Sequence, residues 1–291
     1  MEPARSDGLS NPHGPADPFL NRVLALSSYQ NVSTLSTEDK LRNLRQLEEL
    51  GREVERELRS VNVELYGSRS LRIVDALANF PQKDASKAKG LAIRFAQRAL
   101  EKADEFSLDL HCSFLGYLSA PLDEEGNRLS GKAWARQRKE YALLWLRAYQ
   151  RIEQTIDPAW DPDDVVPAKV MPPGSGAPDA DPRAISDPVL RARYEAAIEA
   201  NREQKRRYLE QYRARWLQEK WLPKAEFRLI NLYSSPPERR AELRQLLEEY
   251  VSDPERRREI MGAVEKEGMP ERLERRFLRF ETRPAQEGPP P

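Results

Sequence analysis

Residues 36–67, STEDKLRNLRQLEELGREVERELRSVNVELYG, carry the clearest pattern in the chain. Leu44, Gly51, Leu58 and Leu65 stand seven residues apart, and Leu47, Val54 and Val61 interleave with them. That spacing is the a and d seam of a helix. It predicts one helix of roughly 45 Å at 1.5 Å per residue, ended by Gly67 and opened by Ser36 and Asp39 at capping-box spacing, with Asp in place of the usual Glu. A repeat of about three heptads is short, so the helix is read as a bundle member rather than half of a dimeric coiled coil. Gly51 on the seam costs about 1 kcal/mol against alanine, which close approach of a neighbouring helix would offset.

The helical period continues on both sides. Upstream, Asp17-Pro18 reads as an N-cap followed by proline at the first helical position, opening a short helix with Phe19, Leu20, Val23, Leu24 and Leu26. Downstream comes a short helix with Leu71, Val74, Leu77 and Ala78, then a longer one capped by Asp84 and running from Leu91 through Phe95, Ala103, Phe106 and Phe114 towards Pro121. Glu125-Gly126-Asn127 is a turn signal. The helix from about residue 132 to 156 is apolar on all sides from Tyr141 to Leu146, the mark of a buried helix.

Eight of the 23 prolines then fall between residues 158 and 188. The tract also carries Trp160, Val165, Val166, Val170, Met171 and Ile185, more apolar surface than a solvated spacer needs, so it reads as an extended strap over a core. Asp187-Pro188 opens a helix to Lys220, which Trp221-Leu222-Pro223 breaks or kinks before it continues to Tyr233. Ser235 and Glu238 open a helix with Leu243, Leu246 and Leu247, and Asp253-Pro254 opens one with Ile260, Met261 and Val264 that Gly268 ends. Pro270 starts a last helix with Leu273, Phe277 and Leu278. No alternating β-branched run of useful length appears, so no strand is predicted.

The expected fold is therefore all-α, an irregular bundle of about seven to nine helices with a proline-rich strap between two helical halves. The divisions are a disordered leader (1–16), an N-terminal half (17–156), the strap (157–187), a C-terminal half (188–282) and a disordered tail (283–291), with 17–282 sharing one core.

Charged residues make up 33% of the 291-residue chain, yet 48 basic and 48 acidic side chains cancel, so no whole-chain field points to nucleic acid or an anionic surface. The chain has no run of about 18 apolar residues and no basic-then-apolar leader. It reads as cytoplasmic and not membrane-inserted, although a mature exported chain would look the same.

Most catalytic chemistry finds no residues. His13 and His111 are the whole histidine supply, and Cys112 is the single cysteine. His13 sits in the leader; His111 falls in line with Leu108, Leu115 and Leu118 and reads as a packed residue. Walker A, Gly-x-Gly-x-x-Gly and Gly-x-Ser-x-Gly patterns are absent. Asp157, Asp161, Asp163 and Asp164 form the best candidate calcium cluster, but lack EF-hand spacing and are better explained as turn formers. No catalytic residue, cofactor or metal is assigned, and the chain reads as non-enzymatic.

Two features suggest binding. Arg202, Arg206, Tyr208, Tyr212 and Trp216 belong to a basic-aromatic helix, 202–224, that could hold a nucleic-acid backbone and stack bases. The competing reading makes the aromatics a core stripe and the arginines its solvated face. Arg138 and Asn201 are polar residues on apolar stripes and could meet the acidic tract in a candidate polar pocket. The leading expectation is a helical scaffold or protein-interaction module with a protein partner. The alternatives are a nucleic-acid-associated protein and a carboxylate-based enzyme or metal binder near the strap.

Overall fold

A computed structural model of the chain describes residues 17–57, 63–81, 86–102, 105–161, 171, 181–234 and 239–265. These residues form ten α-helices and no strand ladder, so the fold is all-α, with one helix more than the upper end of the expected range. The leader, the tail, the helix from Pro270, the Ser235 cap, and Val165, Val166 and Val170 of the strap lie outside the described residues. The chain divides into two compact units, Met1–Leu144 and Trp145–Pro291.

The first unit holds α1 (Pro18–Ser27), α2 (Tyr29–Val32), α3 (Thr37–Glu57), α4 (Val63–Ala78), α5 (Ser86–Leu100), α6 (Leu108–Leu115) and the start of α7 (Gly131–Glu153). The caps read from sequence form. Asp17 Oδ1 accepts from the Phe19 N–H at 3.0 Å. Ser36 Oγ accepts from the Asp39 N–H at 3.1 Å and donates back to its carboxylate at 2.8 Å, which satisfies an orphan donor of the first turn. α4 packs against α1, α3, α5 and α6. Its Ile73, Val74 and Leu77 are buried, as are Leu44, Leu47, Leu50 and Val54 of α3.

The seam delivers Gly51 as expected: a Cβ added there would lie 2.6 Å from Cζ of Phe95 on α5. Arg94 and Arg98 of α5 clasp the same pair of helices, reaching Glu48 at 2.9 Å and Glu55 at 2.8 Å. The seam does not persist as one helix, however. Leu58 and Val61 lie outside the described residues, and Leu65 is 42% exposed in α4. Gly67 lies inside α4 rather than ending a helix, because Leu110 and Phe106 crowd the place a side chain would take.

The helix expected from Leu91 towards Pro121 is divided into α5 and α6. Ser107, in extended backbone at ψ 150°, starts α6 afresh, and its N–H donates to Glu64 Oε1 at 2.9 Å. Phe106 then stacks between Tyr66 and Phe114, with ring centroids 6.2 and 5.8 Å away. The predicted turn at Glu125-Gly126-Asn127 forms, with Gly126 at φ +86° against Gly90 of α5.

The second unit contains the rest of α7, then α8 (Pro188–Tyr233), α9 (Arg240–Tyr250) and α10 (Pro254–Glu265). The buried set includes Trp145, Tyr149 and Ile152 of α7, Trp221, Leu229 and Tyr233 of α8, Leu243 and Leu247 of α9, and Ile260 and Val264 of α10. α8 runs 46 residues without interruption and keeps Pro223 inside it. An interior proline costs about 3 kcal/mol. Burial of Trp221, Pro223, Ala225 and Glu226 around it outweighs the local preference to break. Of the strap's described residues, Trp160 and Ile185 are half-buried and Met171 is 49% exposed.

Candidate functional site

α8 starts where the sequence placed it. Asp187 Oδ1 accepts from the N–H groups of Val189 and Leu190 at 2.8 and 3.3 Å, with Pro188 at the first helical position. Arg191 donates to the Ile185 carbonyl through Nε at 2.9 Å and Nη2 at 2.6 Å, tying the short 3-10 turn Pro182–Ala184 to the helix.

At 100° per residue, Leu190, Tyr194, Ile198, Asn201, Tyr208, Tyr212 and Trp216 fall within a sector of about 80°. Tyr194 is buried; Ile198, Asn201, Tyr208 and Trp216 are half-buried; Leu190 and Tyr212 are exposed. The Tyr208 and Tyr212 rings sit 6.2 Å apart. Lys220 Nζ lies 4.6 Å from the Trp216 ring centroid, a cation over an aromatic face. The apolar stripe is thus covered unevenly along its length.

Arg202, Arg206, Arg207 and Arg215 each face a glutamate of the same helix. Arg206 reaches Glu203 at 2.7 Å and Glu210 at 3.7 Å. Arg207 pairs with Glu203 at 3.0 Å and Arg215 with Glu219 at 3.1 Å, while Arg202 lies 3.7 Å from Glu199. Spacings of three and four residues put these groups side by side on the solvated face. The Glu203 carboxyl is held below its usual range by hydrogen bonds from Arg206 and Arg207.

Arg138 is buried on α7, within the first unit, and Asn201 is half-buried on α8, within the second. Of the acidic cluster, Asp163 and Asp164 lie outside the described residues, and Asp157 is a turn former whose carboxylate accepts from the Ala159 N–H at 2.9 Å. The Asp157 N–H donates to Gln211 Oε1 at 2.7 Å, which fastens the start of the strap to α8. His111 is 7% exposed on α6, the buried position its stripe implied.

A buried polar joint in the second unit was not read from sequence. Glu226, 1% exposed on α8, accepts at Oε1 from Tyr149 Oη and from Arg256 Nη1, each at 3.3 Å. Arg256 Nε also lies 3.9 Å from Asp253. Beside them, Ser252 Oγ donates to Glu153 Oε2 at 3.4 Å, and Gln218 donates to the Ile152 and Glu153 carbonyls at 3.0 and 3.2 Å. Burial pushes the Tyr149 hydroxyl up, reinforced by the charges of Glu226 and Glu153. Burial also raises the Glu153 carboxyl, partly offset by the Ser252 hydroxyl. The arrangement locks α7, α8 and the α10 entry together, with Arg256 set against a desolvated carboxylate. The signal was there: position 226 shares a helical stripe with Leu222, Leu229, Ile230 and Tyr233, the pattern that singled out Arg138 and Asn201.

Among the described residues no helix is long and apolar enough to cross a membrane. A scan against protein-family models, a search of curated proteins and a search of solved structures each returned no match.

Proposed function

We propose that the protein is a non-enzymatic helical interaction module that engages a protein partner through the first half of α8. The observation that carries this reading is the contrast between the length of that helix and its burial. From Pro188 to Arg213, Tyr194 is the one buried residue, whereas Trp221, Pro223, Ala225, Glu226, Leu229, Ile230, Leu232 and Tyr233 are buried further along. The first half spans roughly 39 Å at 1.5 Å per residue, and Val189, Leu190 and Tyr212 are 60%, 39% and 38% exposed on it. A partly covered apolar stripe on a long helix suits a partner's groove or helix, with anchors spaced at helical intervals. Exposed tyrosine adds a large contact surface at low entropic cost.

The runner-up is a nucleic-acid-associated protein, favoured by the neighbouring Tyr208 and Tyr212 rings among basic residues. It is the weaker reading because Arg206, Arg207 and Arg215 already face glutamates at 2.7, 3.0 and 3.1 Å. Phosphate binding would have to compete with those carboxylates.

Affinity capture from native lysate, with and without nuclease treatment, tests the two together. Wild type is compared with a Leu190→Asp/Tyr212→Asp double variant whose thermal unfolding is checked in parallel. The proposal expects a discrete set of proteins retained by wild type and lost by at least tenfold in the variant. Identical capture by both proteins, or capture that nuclease abolishes, overturns it.

A further inference from the structure

We propose that the groove between α9 and α10 is a binding site for a small organic anion with an apolar body. A cavity of about 470 Å³ opens there, with Leu247, Pro254, Met261 and Gly262 in its lining. That volume lies within the range of roughly 300–1,000 Å³ usual for small-molecule sites. The inference is independent of the role assigned to α8.

Gly262 gives the first reason. Glycine inside a helix is unfavourable unless something needs the missing side chain. Gly51, Gly67 and Gly90 meet that condition, because Phe95, Leu110 and the Gly126 backbone occupy the space. Gly262 does not: a Cβ added there meets nothing within 4 Å. The absent side chain makes room in the cavity instead of admitting a neighbouring helix.

Charge gives the second. Arg244, Arg257 and Arg258 rim the cavity against Glu248 and Glu265. Arg244 lies 3.7 Å from Glu265, which leaves Arg257 and Arg258 facing a single glutamate. Arg258 is exposed and Arg257 is half-buried. Arg257 Nη2 reaches the Ser252 carbonyl at 3.4 Å, and Arg258 Nε reaches the Pro254 carbonyl at the same distance, both long bonds. A carboxylate or sulfonate would give these guanidinium groups shorter, charge-assisted hydrogen bonds.

The apolar part of the lining then selects the body. Leu247, Pro254, Met261 and Gly262 stand among the charged residues around the cavity, and a bare inorganic ion would leave that part uncovered. A ring or short acyl chain would cover it.

The test uses the full chain and titration calorimetry with 2-naphthoate, its neutral amide and decanoate. The proposal expects saturable binding of one carboxylate per chain, with the amide about tenfold weaker, as for loss of a charge-assisted hydrogen bond. The preference between naphthoate and decanoate separates a ring from an acyl chain as the natural body. Gly262→Leu fills the cavity and should abolish binding without lowering the melting temperature, since leucine favours helix and has open space to enter. Arg257→Gln should weaken the carboxylate about tenfold and leave the amide unchanged. No saturable binding by wild type, equal affinity for acid and amide, or full affinity in a folded Gly262→Leu variant would each overturn the proposal.

Discussion

Glu226 keeps a carboxylate at 1% exposure with Arg256 and Tyr149 both 3.3 Å from one oxygen. Removing the arginine would take a charged hydrogen bond from that buried carboxylate, so Arg256→Ala is expected to cost about 2 kcal/mol in chemical denaturation. Tyr149→Phe removes a single hydrogen bond and should cost about 1 kcal/mol. Two other glutamates respond to pH with opposite sign. Burial raises the Glu153 carboxyl despite the Ser252 hydroxyl beside it. The folded chain therefore holds that proton more tightly than the unfolded one. Its contribution is complete below the ordinary carboxylate pKa and is lost as pH rises through the raised folded value. Glu153→Gln should be more stable than wild type at about pH 7 and should lose that advantage at about pH 3.

Burial would raise the Glu48 carboxyl too, but the Arg94 hydrogen bond at 2.9 Å and the charges of Arg94 and Arg52 outweigh it and leave it lowered. Its contribution is present above the unfolded pKa and disappears as pH falls through the folded one. Glu48→Gln should thus destabilise at about pH 7 and cost little at about pH 2. At this scale the sequence was informative about where polar residues interrupt apolar stripes. It could not supply partners: Glu226 meets Tyr149 from 77 residues away and Arg256 from 30.

Among elements, glycine separates packed helices from open ones. At Gly51, alanine would press on Phe95 of α5 at 2.6 Å. The expected cost is about 1–3 kcal/mol, as for other overpacked sites. At Gly262, where nothing lies within 4 Å, alanine should stabilise by about 1 kcal/mol through helix propensity alone. Paired denaturation curves distinguish the two environments. Helix starts were legible wherever a capping aspartate preceded proline, at Asp17, Asp187 and Asp253, because one side chain and one ring define the geometry locally. Helix interiors were less legible. Gly67 resembles a stop until Leu110 and Phe106 are seen to fill its space, and Pro223 resembles a break until burial around it is counted. In both cases long-range packing overrides a local preference.

For the whole molecule, helical periodicity identified the fold class, since every described element is a helix or a turn between helices apart from the lone bridge Leu122–Arg128. The whole chain balances 48 basic against 48 acidic side chains, whereas α8 keeps a basic excess, part of it answered by glutamates that face Arg206, Arg207 and Arg215. Burial along α8 is unequal: Tyr194 is the one buried residue from Pro188 to Arg213, while the buried residues from Trp221 onward are dense. That inequality has a dynamic consequence: amides between Pro188 and Arg213 should exchange with deuterium well before those between Trp221 and Tyr233, since opening there exposes little buried apolar surface.

The proposed role of α8 requires its exposed stripe to meet a protein. A photoreactive phenylalanine analogue placed at Leu190, at Tyr212 and, as a polar-face control, at Arg207 tests it directly in native lysate. Protein adducts are expected from positions 190 and 212, with at least tenfold less from 207. Adducts to nucleic acid from 190 and 212, or equal yields of protein adducts from all three positions, would contradict it.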